Sequence, residues 1–313
     1  MSSILDPDLI REAAAEKGID PAFIEKDWYA VQLLKSLDAF KNDRGVELIF
    51  SGGTSLSKGF GLIKRFSEDL DFILCSTKNV SVGGRRAFRK SVISHITSDA
   101  RFSIEEDAVK RGDSHRFFKA PVCYNMAFEQ SFLRPHLQLE MTFSQHRLPL
   151  LKQNVQSMIS ELSGGEPETQ ITCISPIETA SDKISALTWR VVVRGESSEY
   201  DPTMIRHLYD LAWLKNTILE DKEAFIHCAQ QSLQQDQERR GGDIIATMSI
   251  SDRMQKAFDL LSKDEAYREE YQTFAQNMSY SDETEKIPFD GALLTLKEII
   301  DMVSTGNNVC TEK

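Results

Sequence analysis

The sequence predicts an α+β fold, with a mixed sheet in the first half and a helical domain in the second. Three observations carry that reading. Strand-like segments at 117–122, 124–128 and 137–143 lie in a region, 101–148, that lacks long helical periodicity, so a mixed or antiparallel sheet fits better than an alternating parallel one. From Pro176 onward apolar residues recur at helical spacing instead. A length of 313 residues exceeds one average domain. The expected division is 1–162, a sheet core with N-terminal helices, and 170–313, an α-helical domain, with the Gly-, Pro- and Glu-rich stretch 163–169 as linker.

Taken in order, residues 6–40 read as two helices. Asp6-Pro7 and Asp20-Pro21 each offer an N-cap followed by proline at the first helical position, and Gly18 separates the two. In the second helix Phe23, Ile24, Trp28, Val31 and Leu34 make one apolar stripe. The run 46–50 is an apolar strand ended by Gly52-Gly53. Residues 54–60 start a helix, and the chain returns as a strand bearing Asp69 and Asp71. Gly83-Gly84 marks a turn before a basic helix over 85–96. In 137–143, Leu137, Leu139 and Met141 share one face and Gln138, Glu140 and Thr142 the other. Beyond the linker, Ile177, Ala180, Ile184, Leu187 and Val191 line a helix from Pro176. A polar loop, 195–202, leads to a helix over 203–219, and two or three more helices fill 221–306 with breaks at 240–243 and 280–288. The last residues are expected to fray.

Composition narrows the function classes. A net charge of −11 argues against a surface coated for nucleic acid while leaving room for a local basic site. Five dispersed cysteines, with no C-x-x-C pair, indicate a reduced protein without a disulfide framework or zinc cluster. No apolar leader and no apolar run of membrane-spanning length occur, so a soluble, cytoplasmic protein with no membrane partner is expected.

The chemistry concentrates in 50–72. Gly52, Gly53, Thr54 and Ser55 form a glycine-turned cradle whose backbone N–H groups can hold the β and γ phosphates of a nucleoside triphosphate. Asp69 and Asp71, two apart on a strand, leave one face together, and a pair of like charges there calls for a cation with oxygen ligands. Glu140, a carboxylate inside a core-forming strand, is the candidate third metal ligand. Mg²⁺, or Mn²⁺ in its place, is therefore the expected cofactor, and nucleotidyl transfer the expected chemistry. Lys58, Lys64 and Arg65 either face phosphate or sit on the surface, and Ser67 lies either beside the metals or in a turn cap.

Other signatures fail. Ser55-Leu-Ser-Lys58 matches S-x-x-K, but neither S-D-N nor K-T-G follows. No Walker A motif and no H-E-x-x-H occur. An Asp-x-Asp glycosyltransferase and a non-catalytic nucleotide-binding module remain as rival classes.

With Glu25-Lys-Asp27, 52–58 and 65–72 taken together, and more loosely with 183–190 and 206–211, the chain resembles the AbiEii/AbiGii family of nucleotidyltransferase-like toxins, which includes the MenT toxins. The resemblance implies a polymerase-β-like nucleotidyltransferase core and a helical C-terminal domain. It also implies an NTP substrate, transfer to RNA with the tRNA 3′ end as the leading acceptor, and an AbiEi-like antitoxin partner. By motif match, Lys183 would contact the triphosphate and Asp210 would complete the site as catalytic residues alongside Asp69 and Asp71. The alternatives are a solvated Lys183 and a surface ion pair between Arg206 and Asp210. The insertion at 195–202 departs from the compact family pattern. Self-modification or modification of a protein target is the alternative activity. Lys58, Lys64, Arg65, Arg85, Arg86, Arg89 and Lys90, with Arg190 and Arg194, would line a basic groove for RNA, the alternative being a solvated basic helix.

Overall fold

The computed structural model describes residues 5–194, 202–239 and 244–306. The chain forms two units, Met1–Gly61 with Phe66–Ile174, and Leu62–Arg65 with Ser175–Lys313.

In the first unit, α1 (Pro7–Lys17) and α2 (Pro21–Asp38) start as their sequences dictate. The Asp6 carboxylate accepts from the Asp8 N–H and the Asp20 carboxylate from the Ala22 N–H, each at 2.9 Å, with proline at the first helical position. Gly18 closes α1 at φ 66°, a left-handed position that costs glycine nothing. The single apolar stripe expected for α2 is a correction, because Glu25, Lys26, Asp27 and Gln32 are buried along with it. Charges at these positions are tolerated only because each finds a partner, as described below.

A seven-stranded sheet forms the body of this unit. Its strands are β1 (Val46–Ser51), β2 (Asp69–Ser76), β3 (Lys110–Gly112), β4 (Phe117–Val122), β5 (Leu137–Phe143), β6 (Leu151–Val155) and β7 (Thr169–Cys173), in the order β3-β4-β5-β2-β1-β7-β6. The pairings β2–β5 and β1–β7 are parallel and the others antiparallel, so the sheet is mixed. Between β1 and β2 stand α3 (Gly52–Thr54), a single turn, and a π-helical turn, Ser55–Gly59. The helices α4 (Val82–Thr97) and α5 (Met158–Leu162) complete the unit.

Several boundaries differ from the sequence reading. Gly83 and Gly84 lie in the first turn of α4, where the Ser81 hydroxyl caps the Gly84 N–H, so the glycines do not end the preceding turn. Residues 124–128 form no strand; the Glu25 carboxylate instead accepts the Ala127 and Phe128 N–H groups that a strand partner would have taken. The stretch 163–169 links no domains. Residues 163–168 are a turn between α5 and β7, Thr169 already belongs to β7, and the division falls between Ile174 and Ser175 because β7 pairs with both β1 and β6. Neither β6 nor β7 stood out in the sequence, since β6 is largely exposed and only Ile171 and Cys173 of β7 are deeply buried.

The second unit is helical: α6 (Pro176–Val193), α7 (Arg206–Trp213), α8 (Lys215–Glu220), α9 (Lys222–Arg239), α10 (Ile250–Lys263), α11 (Glu265–Met278) and α12 (Phe289–Gly306). The expected stripe of α6, from Ile177 to Val191, is buried. The helix expected over 203–219 is a 3₁₀ turn, Pro202–Ile205, followed by α7 and α8, which part at Leu214, where ψ rises to 1°. Among the described residues four α-helices follow residue 221, one more than the upper expectation, because Asp264 ends α10 and its carboxylate caps α11 through the Ala266 N–H. The expected break at 280–288 is present between α11 and α12, whereas the break at 240–243, the frayed end at 307–313 and all of the 195–202 loop except Pro202 lie outside the described residues. The segment Leu62–Arg65 is tied to this unit by a bridge between Arg65 and Ser279 and by the Tyr280 N–H donating to the Lys64 carbonyl at 3.1 Å. Among the described residues no helix is long and apolar enough to cross a membrane.

Candidate functional site

The sheet register converts separate sequence motifs into one surface. Ser51 pairs with Asp71, Asp71 with Glu140, and Glu140 with Lys119, so the four side chains form a row across β1, β2, β5 and β4 on one face. Asp69 lies two residues along β2 from Asp71 and shares that face. Neighbouring strands are about 4.8 Å apart, close enough for Asp71 and Glu140 to repel strongly without compensation.

The cradle is built against the same carboxylates. At the end of β1 the chain turns at Gly52 with φ 74°, and a Cβ placed there would collide with the Asp71 carboxylate. Glycine is required twice over, by backbone conformation and by close approach. The Thr54 hydroxyl donates to the Asp69 carbonyl and the Ser55 hydroxyl to the Gly52 carbonyl at 2.9 Å, so buried Thr54 and Ser55 fix the turn onto β2. Gly53 is buried in the same turn. The π-helical turn that follows widens the helix at a position often associated with function.

This geometry yields a sharp expectation. Gly52→Ala should cost about 1–2 kcal/mol from the left-handed backbone alone, with a further loss from the displaced Asp71 carboxylate. In an Asp71→Ala background the second part should shrink, because the carboxylate is gone while the Cβ of residue 71, 2.9 Å from the added methyl, remains. A double-mutant cycle in urea checks this, and strict additivity would mean that Asp71 does not hold the turn.

Cations already attend the acids. Arg134 donates from Nη1 to Asp69 Oδ1 at 2.6 Å, and Lys119 pairs with Glu140. Among the described residues no three acidic, histidine or cysteine side chains converge into a preformed metal cage. The donor set nonetheless suits a hard divalent cation, since it is all oxygen, lies on one face and touches the glycine turn. Arg134 and Lys119 are the counter-charges that offset the negative charge of Asp69 and Glu140.

Neither Arg134 nor Lys119 was singled out by sequence, and the same holds for the ties made by Glu25, Lys26 and Asp27. These three consecutive buried charges anchor α2 to three segments. Glu25 holds the 127–128 backbone. Lys26 Nζ donates to Glu68 Oε1 and to the Arg134 carbonyl, both at 2.5 Å, while the Glu68 carboxylate also accepts the Arg134 N–H at 2.6 Å. Asp27 pairs with Lys58 and accepts the Met158 N–H at 2.7 Å. Burial pulls Lys26 below its ordinary ammonium value, and the Glu68 carboxylate opposes that shift. The legible signal was three charges in a row within an otherwise apolar helix. Lys58, a candidate phosphate ligand, is thereby placed against Asp27, and Ser67 is half-buried beside Glu68.

In the second unit, Lys183 and Asp210 do meet, together with Arg65. The Arg65 guanidinium donates from Nε and Nη2 to the two Asp210 oxygens at 2.6 Å each, and Lys183 Nζ lies 2.6 Å from Asp210 Oδ2. Asp210 is 0 % exposed and Lys183 6 %. A solvated Lys183 and a surface Arg206–Asp210 pair are both ruled out by that burial. Burial pushes the Asp210 carboxyl up, but the Arg65 and Lys183 charges outweigh it and hold the group well below the usual carboxylate range. Burial likewise lowers Lys183, against the pull of Asp210. Arg65 therefore clamps the 62–65 segment onto α6 and α7, where a phosphate contact had been the expectation.

The proposed basic face on α4 is also corrected. Arg85 is buried and donates to the carbonyls of Ser114 and Val80, and Arg89 is 2 % exposed with Glu106 at 3.5 Å. Only Arg86 and Lys90 of that run face water. Charge reversal at 85 and 89 would break the core and report nothing about RNA.

A family model described as nucleotidyl transferase AbiEii toxin, type IV TA system, matches residues 34–294. Among solved structures the chain is similar to MenT4, a nucleotidyltransferase toxin from Mycobacterium tuberculosis H37Rv, at 20 % identity and a TM-score of 0.54, over 94 % of this chain and 99 % of that one. At that identity the likeness speaks for the fold, a mixed sheet joined to helices. No curated protein sequence matches the chain.

Proposed function

The chain belongs to the AbiEii family of nucleotidyltransferase toxins of type IV toxin–antitoxin systems, and from that premise we propose that it transfers a nucleoside monophosphate from an NTP to RNA, with the tRNA 3′ end as acceptor. The observation that carries the reading is the cross-strand row in which Asp71 stands between Glu140 and the Gly52 turn. That row unites an anion cradle with a cation-binding face, which is what phosphoryl chemistry requires.

In this reading the 52–55 backbone orients the β and γ phosphates while Asp69 and Asp71, with Glu140 beside them, would hold Mg²⁺ or Mn²⁺. When bound, such a cation supplies charge neutralisation on the phosphate oxygens and eases deprotonation of the acceptor hydroxyl. The acceptor oxygen bonds to the α-phosphorus as the bond to pyrophosphate breaks. The electron pair leaves with pyrophosphate, and the hydroxyl proton passes to water. Thr54 and Ser55 fix the turn, and Arg134 and Lys119 balance the acids. Lys183, Asp210 and Arg65 act as a positioning set that orders the second unit. Membership of a type IV system supports a cognate AbiEi-like antitoxin as functional partner.

The test is incubation of the purified protein with each α-labelled NTP, total RNA and Mg²⁺. Label in RNA is the expected result, and label in the tRNA fraction identifies the acceptor. Label in protein alone would replace this reading by self- or target-modification. Tight NTP binding without label would make the chain a nucleotide-binding module.

A further inference from the structure

We propose that a cavity in the first unit, beside Asp69, receives the terminal nucleotide of a single-stranded RNA end, with the base on its aromatic lining and the phosphate on its cations. The proposal rests on the RNA-transfer reading above and locates the acceptor site within it. The cavity is about 500 Å³, ample for one nucleotide, and is lined by Tyr124, Met126, Phe128 and Leu133 together with Lys26 and Arg134.

Three observations point to a nucleotide as the occupant. Arg134 lines the cavity and also donates to Asp69 at 2.6 Å, so whatever binds there shares a residue with the acid pair. The lining combines ring faces with cations, the pairing that binds single-stranded nucleic acid through base stacking and phosphate contacts. Tyr124 is held in place by stacking on Tyr29 at 4.2 Å, so its ring and hydroxyl are presented at a fixed position on the lining. Glu129, also on the lining, supplies an acceptor for an exocyclic amine.

Beside the cavity, on the same 124–135 loop, Phe132 is 57 % exposed between two lining residues, Ser131 and Leu133. A bare phenylalanine at that position contributes nothing to the core and offers a platform for the next base of an incoming strand. The loop is not a loose one. Glu25 holds it at 127–128, and Glu68 holds it at the Arg134 N–H, so the aromatic groups are presented on a fixed backbone.

The experiment compares the wild type with Phe132→Ala and Tyr124→Leu, measuring KM for a short single-stranded RNA, KM for the NTP, and kcat. Stacking predicts a rise of roughly tenfold in the RNA KM for each variant, with the NTP KM and saturated kcat unchanged. A rise in the NTP KM instead would assign the cavity to the incoming base, and unchanged constants for both variants would empty it of any role. Crosslinking of a 3′-terminal 4-thiouridine RNA is the second arm and needs no turnover. Adducts within 124–135 support the site, and adducts elsewhere overturn it. Because Phe132 is exposed, its variant folds even where Tyr124→Leu does not. Absence of any RNA labelling by the wild type would sink the transfer reading, while the crosslink still decides whether the cavity takes an RNA end.

Discussion

Asp71→Ala and Asp69→Ala should each lower nucleotidyl transfer by at least about 10²–10³-fold, the scale of losing one preorganised electrostatic group at a reacting centre, with the fold retained. The argument is geometric. Asp71 is the member of the cross-strand row that lies beside both Glu140 and the Gly52 turn, so its loss removes the carboxylate proposed to hold the cation at the closest approach of the acids to the turn. Asp69 carries the ion pair to Arg134, so its loss also removes that pairing. Folding should survive because Asp71 is only half-buried, and because Arg134, the partner of the buried Asp69, is itself partly exposed to water, while removal of like charges from the row relieves repulsion. Label incorporation into RNA at saturating NTP and Mg²⁺, with circular dichroism as the folding control, checks both variants. Full transfer by a folded Asp69→Ala, Asp71→Ala double variant would refute the site.

The second large effect concerns stability. Asp210→Asn should destabilise the second unit by about 3–5 kcal/mol, because it strands the buried Arg65 and Lys183 charges without their carboxylate. The loss has a pH signature. The Asp210 carboxyl is held below the 3.8 of a free side chain, so its contribution is complete above that pH and is lost as the pH falls toward the folded-state value. Wild type should therefore lose stability on the acid side of pH 3.8 in a step that Asp210→Asn lacks. Urea unfolding followed by tryptophan fluorescence, to which Trp189 and Trp213 contribute from the second unit and Trp28 from the first, reads the effect when compared between variant and wild type. A variant as stable as wild type at pH 7 would show that the cluster contributes nothing to the stability of the second unit.

Much of the candidate site was legible as a set of local patterns. A glycine turn, a two-residue spacing of acids and an isolated carboxylate in an apolar strand each carry their meaning within a few residues. The partners of those acids were not legible. Arg134 and Lys119 come from 65 and 21 residues away from Asp69 and Glu140, and nothing in their own neighbourhoods distinguishes them from surface cations. The basic run on α4 failed for the converse reason. Its spacing suggested a charged face, but Arg85 and Arg89 turn inward to meet carbonyls and Glu106. Burial of a charge is decided by the element that packs over it, and that element is remote in sequence.

Local sequence patterns were enough for the α+β class, the capped N-terminal helices, the glycine turn with two acids nearby on one strand, and the apolar stripe of α6. These follow from capping chemistry, from the two side-chain periodicities and from the backbone freedom of glycine, all of which act over one or two turns of chain. Tertiary structure alone decided the sheet order, the register that sets Asp71 beside Glu140, the assignment of Leu62–Arg65 to the second unit, and the union of Arg65, Lys183 and Asp210. Those features depend on which distant segments exclude water from one another, so no short window of sequence contains them.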